Sequence, residues 1–275
     1  MNRDAPIGVF DSGIGGLTVV REIMARMPYE KMVYLGDTAR VPYGVRAPET
    51  VRRYALEGAR FLLERDIKLL VVACNTVSAV GLSEITAITS IPVLGVIEPG
   101  ARTACKTTRA GKVGVIGTEA TVRSGAYAAA IGREAPGIEV KSKSCPLFVP
   151  LVEEGWLEGE VPEMVAAKYL TGLKDWGMDT LVLGCTHYPL LKKMLNNVMG
   201  TDMRLIDSAH ETALEVESLL RDSGMLLADP SDNRGRGTLE LCVTDSPEKF
   251  AEVGGRFLGS SMDNIKKVEL EAYKG

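Results

Sequence analysis

LLVVACNTVSAV, residues 69–80, opens as an uninterrupted apolar strand and ends on Cys74, Asn75 and Thr76. TLVLGCTH, residues 180–187, repeats the device: an apolar strand, then Cys185, Thr186 and His187. The two stretches are offset by 111 residues, and they do not repeat alone. VGVIGT (113–118) matches IGVFDS (7–12) at an offset of 106, and LIDS (205–208) matches VIEP (96–99) at 109. Slow drift of the offset is what loop insertions produce. The chain therefore reads as two copies of one unit of about 100 residues, the size of a small domain.

Between these anchors strands and helices alternate. Strands are expected at 7–10, 32–35, 68–73 and 92–96, with helices at 17–27, 49–65 and 76–89. The second copy supplies strands at 113–118, 138–143, 180–184 and 205–208, with helices at 119–133, 161–175 and 188–199. The spacing of Leu17, Val20, Ile23, Met24 and Met27 places them on one helical face. Continuous apolar strands between amphipathic helices mark parallel sheets covered on both faces. The expected fold is α/β: two domains related by a pseudo-twofold axis, with mainly parallel sheets and the active site in the cleft between them. The first domain is read as 1–97 plus 207–275 and the second as 98–206. The tail has no counterpart in the repeat: a helix at 209–221, a loop rich in Gly, Asp and Pro at 228–237, strands at 238–244 and 266–272, and a helix at 246–259. It is expected to return to the first unit.

Ligands of such sheets bind beyond the carboxyl ends of the strands. Cys74 and Cys185 sit at equivalent carboxyl ends, so a twofold aims them at one cleft from opposite sides. A substrate held between two thiols can lose a proton to one and gain a proton from the other on its far face, which inverts a carbon centre directly. A thiol suits the role because its free pKa, about 8.5, lies nearer neutrality than that of Lys or Tyr. Each cysteine precedes an expected helix start, whose backbone N–H groups favour a thiolate. Asn75, Thr76 and Thr186 supply donors for carboxylates. Asp11, at the end of the first strand, can accept from an ammonium group or tune Cys74. His187, one of only two histidines, can do the matching job for Cys185.

The composition bounds the rest. With 45% hydrophobic and 25% charged residues the chain is that of an ordinary globular protein. A formal net charge of −4 leaves no broad basic surface, so no nucleic-acid partner is expected. No apolar run approaches the roughly 20 residues of a membrane helix, so no membrane partner is expected either. The opening MNRDAPIGVF runs straight into a strand without a signal-peptide pattern, and the expected location is cytoplasmic. Five scattered cysteines fit a reducing compartment, and Cys105, Cys145 and Cys242 read as structural residues.

VFDSGIGGLTVVREI, YLGDTARVPYG, VVACNTVSA, GVIEPGA and LVLGCTHYPLL together strongly resemble the glutamate racemases, and the resemblance extends through the tail segment PEKFAEVGGRFLG. It implies an isomerase that interconverts L- and D-glutamate with no cofactor and no metal, supplying D-glutamate for peptidoglycan synthesis, cell-wall biogenesis and cell shape. It implies Cys74 as the base for D-glutamate and Cys185 as the base for L-glutamate. Asp11 and Ser12, Tyr43 and Gly44, Asn75 and Thr76, and Thr186 and His187 match the family's substrate-binding pairs, and Thr121 is expected at the side-chain carboxylate. Glu153 in LVEEG matches an acid that supports Cys185 with His187, although Glu154 adjoins it. Val41 departs from the cysteine that many members carry there. Racemases of this kind are often homodimers.

Other readings compete. Aspartate racemases share the two-cysteine arrangement, and cleft depth is not legible from sequence. DSGIGG follows a strand, precedes a helix and is followed by Asp37 about 20 residues on, as a dinucleotide fingerprint requires. However, Thr18 stands where the third glycine belongs, and Asp11 places a carboxylate beside the pyrophosphate. A zinc site needs four ligands with characteristic spacing, and the chain has no C-x-x-C. A solute-binding protein also closes on an amino acid, but has no use for paired thiols.

Overall fold

The computed structural model describes residues 2–227 and 235–272. Most of the 228–237 loop expected from sequence lies outside the described residues. The first unit runs β1 (Ile7–Asp11), α1 (Leu17–Arg26), β2 (Met32–Gly36), α2 (Pro48–Leu63), β3 (Leu69–Val72), α3 (Asn75–Val80), α4 (Leu82–Ala87) and β4 (Val93–Gly95). The second runs α5 (Ile97–Thr107), β5 (Lys112–Gly117), α6 (Glu119–Ser124), α7 (Ala126–Glu134), β6 (Glu139–Ser144), α8 (Phe148–Glu153), α9 (Glu160–Asp175), β7 (Thr180–Gly184), α10 (Lys192–Met199) and β8 (Arg204–Asp207). The tail adds α11 (Ser208–Asp222), β9 (Leu239–Val243), α12 (Pro247–Leu258) and β10 (Ile265–Lys267).

Two parallel sheets result. One has the order β10-β9-β2-β1-β3-β4 and the other β6-β5-β7-β8. The four strands β2-β1-β3-β4 repeat the order β6-β5-β7-β8, so the internal repeat is an architectural one. The tail strands extend the first sheet, with Met32 to Gly36 paired against Leu239 to Val243. Successive side chains of a strand point to opposite faces, and here both faces are dry. Val9, Leu69 and Val71 join a core packed under α1 and α11, while Phe10, Leu70 and Val72 join another under α2 and α3. The edge strand β6 reads EVKSKS and is largely exposed, and its lysines suit an edge that must not pair with other chains.

Several expected helices are broken. The stretch 76–89 divides at Gly81, which ends α3 and precedes α4. The stretch 119–133 divides at Gly125, whose φ of 68° lies in the left-handed region that favours glycine. At 188–199 a 3₁₀ turn, Tyr188–Leu191, precedes α10. Two helices were not expected, α5 and α8. In α5, Pro99 falls in the first turn, where a missing N–H costs nothing. The last strand is shorter than read and begins at Ile265.

At the amino ends of the first sheet's strands, Lys68 Nζ lies 2.6 Å from Glu30 Oε2, both side chains being fully buried. Lys68 also donates to the carbonyls of Arg3 and Met225, and Glu30 accepts from Leu227 N. The pair ties the amino-terminal arm to the segment after α11. Lys68→Met leaves the Glu30 carboxylate buried without its cation, so urea unfolding should show a loss of about 3–5 kcal/mol.

Candidate active site

The carboxyl ends of both sheets converge on one cavity of about 310 Å³. From the first unit it is lined by Ser12 and Gly13 after β1, Tyr43 and Gly44 after β2, and Cys74, Asn75 and Thr76 after β3. From the second unit it receives Thr118 after β5, Glu153 and Glu154 at the end of α8, and Cys185, Thr186 and His187 after β7. Each cysteine sits where a strand has ended and the next turn begins, and both are buried.

The two thiols have opposite electrostatic settings. Cys74 Sγ donates to Ser12 Oγ at 3.3 Å. Burial, and then the nearby Asp11 carboxylate, push its pKa up to about 12, against the opposing pull of Ser12 and the Val77 amide. Cys185 Sγ lies 3.9 Å from His187 Nδ1, and His187 Nε2 lies 2.9 Å from Glu153 Oε1. Burial alone would lower the pKa of His187, but its contacts with Cys185 and Glu153 override that and raise it to about 10. An imidazolium therefore stands beside one sulfur and a carboxylate near the other.

Asp11 does not line the cavity. It lies behind Ser12 and Gly13, and its Oδ2 accepts from Gly13 N at 2.9 Å. Burial raises its pKa, while the Gly13 amide and the His187 charge oppose the rise. Its other oxygen, Oδ1, is buried without a hydrogen-bond partner among the described residues. Thr121 also stands back from the cavity. Its hydroxyl reaches Thr118 Oγ1 at 3.0 Å and Thr76 Oγ1 at 3.4 Å, and Thr76 and Thr118 are 2.9 Å apart. This hydroxyl cluster bridges the two units, and it is Thr118 that extends the cavity wall. Asn75 accepts from Tyr127 OH at 2.7 Å, leaving its buried Nδ2 without a partner among the described residues. Of the adjacent acids, Glu153 is the one bonded to His187.

Two glycines let the halves meet. A Cβ on Gly15 would lie 2.2 Å from Thr186 Oγ1 and 2.5 Å from His187 Nδ1, and one on Gly44 would lie 2.6 Å from Thr118 Cβ. Thr18, at the third-glycine position of the rival dinucleotide reading, donates to the carbonyls of Gly15 and Thr186. The space a pyrophosphate needs over this loop is filled by the second unit. Asp37, the supposed ribose ligand, is instead buried, accepting from Tyr43 OH, Arg40 Nε and Thr244 Oγ1. It fixes the loop that carries Tyr43 and Gly44. Among the described residues no cluster of three or more His, Cys, Asp or Glu has metal-binding geometry, and no helix is long and apolar enough to cross a membrane.

Sequence reasoning missed Thr118 and the wall formed by α12 and the turn before it, which brings Ser246, Lys249, Phe250 and Val253 to the cavity. For Thr118 a signal existed, because the repeat that matches IGVFDS to VGVIGT pairs Ser12 with Thr118. For α12 there was none, since the tail has no counterpart.

A sequence model of the Asp/Glu/hydantoin racemase family matches residues 17–216. A glutamate racemase of Geobacter metallireducens is 56% identical over 268 residues, covering 98% of each chain. One of Syntrophus aciditrophicus is 48% identical over 98% of this chain and 100% of its own. Among solved structures, glutamate racemase of Francisella tularensis in complex with D-glutamate superposes with a TM-score of 0.91 at 39% identity, covering 99% of this chain and 100% of that one. The chain therefore belongs to the Asp/Glu/hydantoin racemase family, and to the glutamate racemases within it.

Two outcomes follow from the electrostatics. Asp11→Asn removes the negative charge beside Cys74, so its titration should move below about 12. The ultraviolet absorbance of the thiolate, followed in a Cys185→Ser background, reads that shift. His187 has a folded pKa of about 10, above its ordinary 6.5. Its contribution to stability is therefore full below about 6.5 and is lost as pH rises through about 10. Urea midpoints measured across that window should fall, and Glu153→Gln should flatten the fall.

Proposed function

We propose that the protein racemises glutamate without a cofactor, Cys74 and Cys185 acting as opposed bases. The observation that carries this reading is the placement of two buried thiols at equivalent strand ends of a duplicated fold, both lining one cavity. Cys185 removes the α-proton of L-glutamate, and Cys74, as a thiol, protonates the planar carbanion on its other face. The reverse direction starts with Cys74 on D-glutamate. The glutamate racemase names of the relatives, and the D-glutamate held by the Francisella enzyme, favour glutamate over aspartate.

The neighbours divide the remaining work. Asn75 Nδ2, Thr76, Thr118 and Thr186 offer donors to the two carboxylates, with Thr121 holding the hydroxyls of Thr76 and Thr118. Ser12 bonds the Cys74 sulfur, and Asp11 sets its electrostatic environment. Tyr43 and Gly44 close the wall beside Thr118. Glu153 keeps His187 protonated, and His187 in turn serves Cys185. The high pKa of Cys74 suits it to donate a proton in the L-to-D direction. The unit boundaries 1–97 plus 207–275 and 98–206 then define two bodies that hold the substrate between them. The cellular role is supply of D-glutamate to peptidoglycan in the cytoplasm, and the active form is compatible with a homodimer.

Purified protein incubated with L-glutamate in heavy water, with no cofactor added, should lose circular dichroism as deuterium enters Cα. Cys74→Ser and Cys185→Ser should each remain folded and lose racemisation by about 10²- to 10⁴-fold. Near-normal racemisation by both single variants would exclude the two-base mechanism, and inversion of aspartate alone would exclude the substrate.

A further inference from the structure

We propose that Arg256 and Phe257, consecutive residues near the end of α12, hold Glu153 and His187 against each other and so act as positioning residues for acid–base chemistry at Cys185. The inference rests on the reading of Cys185 as a base. Glu153 and His187 both belong to the second unit, whereas α12 packs against the first, with Phe250 beside Tyr34 and Gly254 against Leu17. One tail helix thus reaches across to both partners of the pair.

The Glu153 side chain is 44% exposed, so packing does not hold its carboxylate at the imidazole. Its backbone must do so, and α8 is only six residues long, too short to be rigid alone. Arg256 Nη1 donates to the carbonyls of Val152 and Glu153. The Val152 carbonyl also accepts from Gly155 N at 3.0 Å, and a cation at these last-turn carbonyls complements the helix dipole. Gly155 turns the chain aside with φ +78°, and a Cβ there would lie 3.1 Å from the guanidinium carbon. On the other partner, the buried Phe257 ring meets the His187 imidazole edge-on, with centroids 5.0 Å apart and planes at 82°. The charged and titratable groups around His187 are Cys185, Glu153 and Asp11, with Glu154, Asp245 and Lys249 lining the same cavity. Loosening Glu153 removes one of the two contacts, after that with Cys185, that favour the imidazolium. His187 then loses its proton at lower pH.

The test compares wild type, Arg256→Ala, Arg256→Lys and Phe257→Leu. His187 is titrated by NMR, its signal assigned with His210→Gln, and kcat/KM for glutamate is measured across the same pH range. Arg256→Ala should lower kcat/KM about fivefold, as expected for losing a helix-end cation, and should move both the His187 titration and the alkaline limb of the profile to lower pH. Arg256→Lys should restore most of both, and Phe257→Leu, which keeps an apolar side chain in the core, should move them in the same direction. If folded Arg256→Ala and Phe257→Leu keep the wild-type titration and limb, or lose activity equally at every pH, the residues are structural only and the inference fails. Near-normal racemisation by Cys185→Ser would instead remove the reading beneath it, and the inference with it.

Discussion

The loop after β1 and the loop after β7 approach so closely that no side chain fits between them at residue 15. A Cβ there would overlap Thr186 Oγ1 and His187 Nδ1, and the Thr18 hydroxyl seals the contact by donating to the Thr186 carbonyl. This approach sets how near the two sheets stand at their carboxyl ends. The width of the cavity, the facing of the two cysteines and the bridge from Thr76 to Thr118 all depend on it. An apolar core alone would bring two α/β units together without choosing such a register. Close packing of backbone against polar side chains chooses one, because interiors have little room to compromise.

Duplication supplies the geometry of the site but not its chemistry. Equivalent strands deliver equivalent thiols, yet one is met by Ser12 and Asp11 and the other by His187 and Glu153. The strands themselves are near copies in sequence, whereas these neighbours are not. A racemase must handle two mirror-image ligands of equal free energy inside a protein that is itself handed. Unequal surroundings at the two thiols are consistent with that task, since each face of the ligand presents its remaining groups differently.

Much of this was legible in the chain. The continuous apolar strands and the three matched anchors foretold two mainly parallel sheets, because burial on both faces leaves a continuous apolar run. Cys74, Asn75, Thr76, Cys185, Thr186 and His187 were visible as strand-end residues, and the structure brings them to one cavity. What stayed hidden depended on direction rather than identity. Asp11 occupies the expected strand end but turns back toward the Gly13 amide. The contribution of α12 is a tertiary contact between residues about 100 positions apart, Arg256 with Glu153, and no local pattern encodes it.

The placement of β9 bears on how the molecule is made. β2 finds its second neighbour in β9, about 200 residues further along the chain, after the whole of the four-stranded sheet. A ribosome adding about 5–20 residues per second needs roughly 10–40 s to cover that distance. Throughout that interval the apolar MVYLG strand presents an open row of backbone donors and acceptors, a template for pairing with other nascent chains. The four-stranded sheet, contiguous in sequence, can meanwhile complete itself. The growing polypeptide, more than the finished enzyme, is the species exposed to aggregation. The wall supplied by α12 arrives in the same late step, so a chain stopped short of it has neither a closed sheet edge nor a finished site.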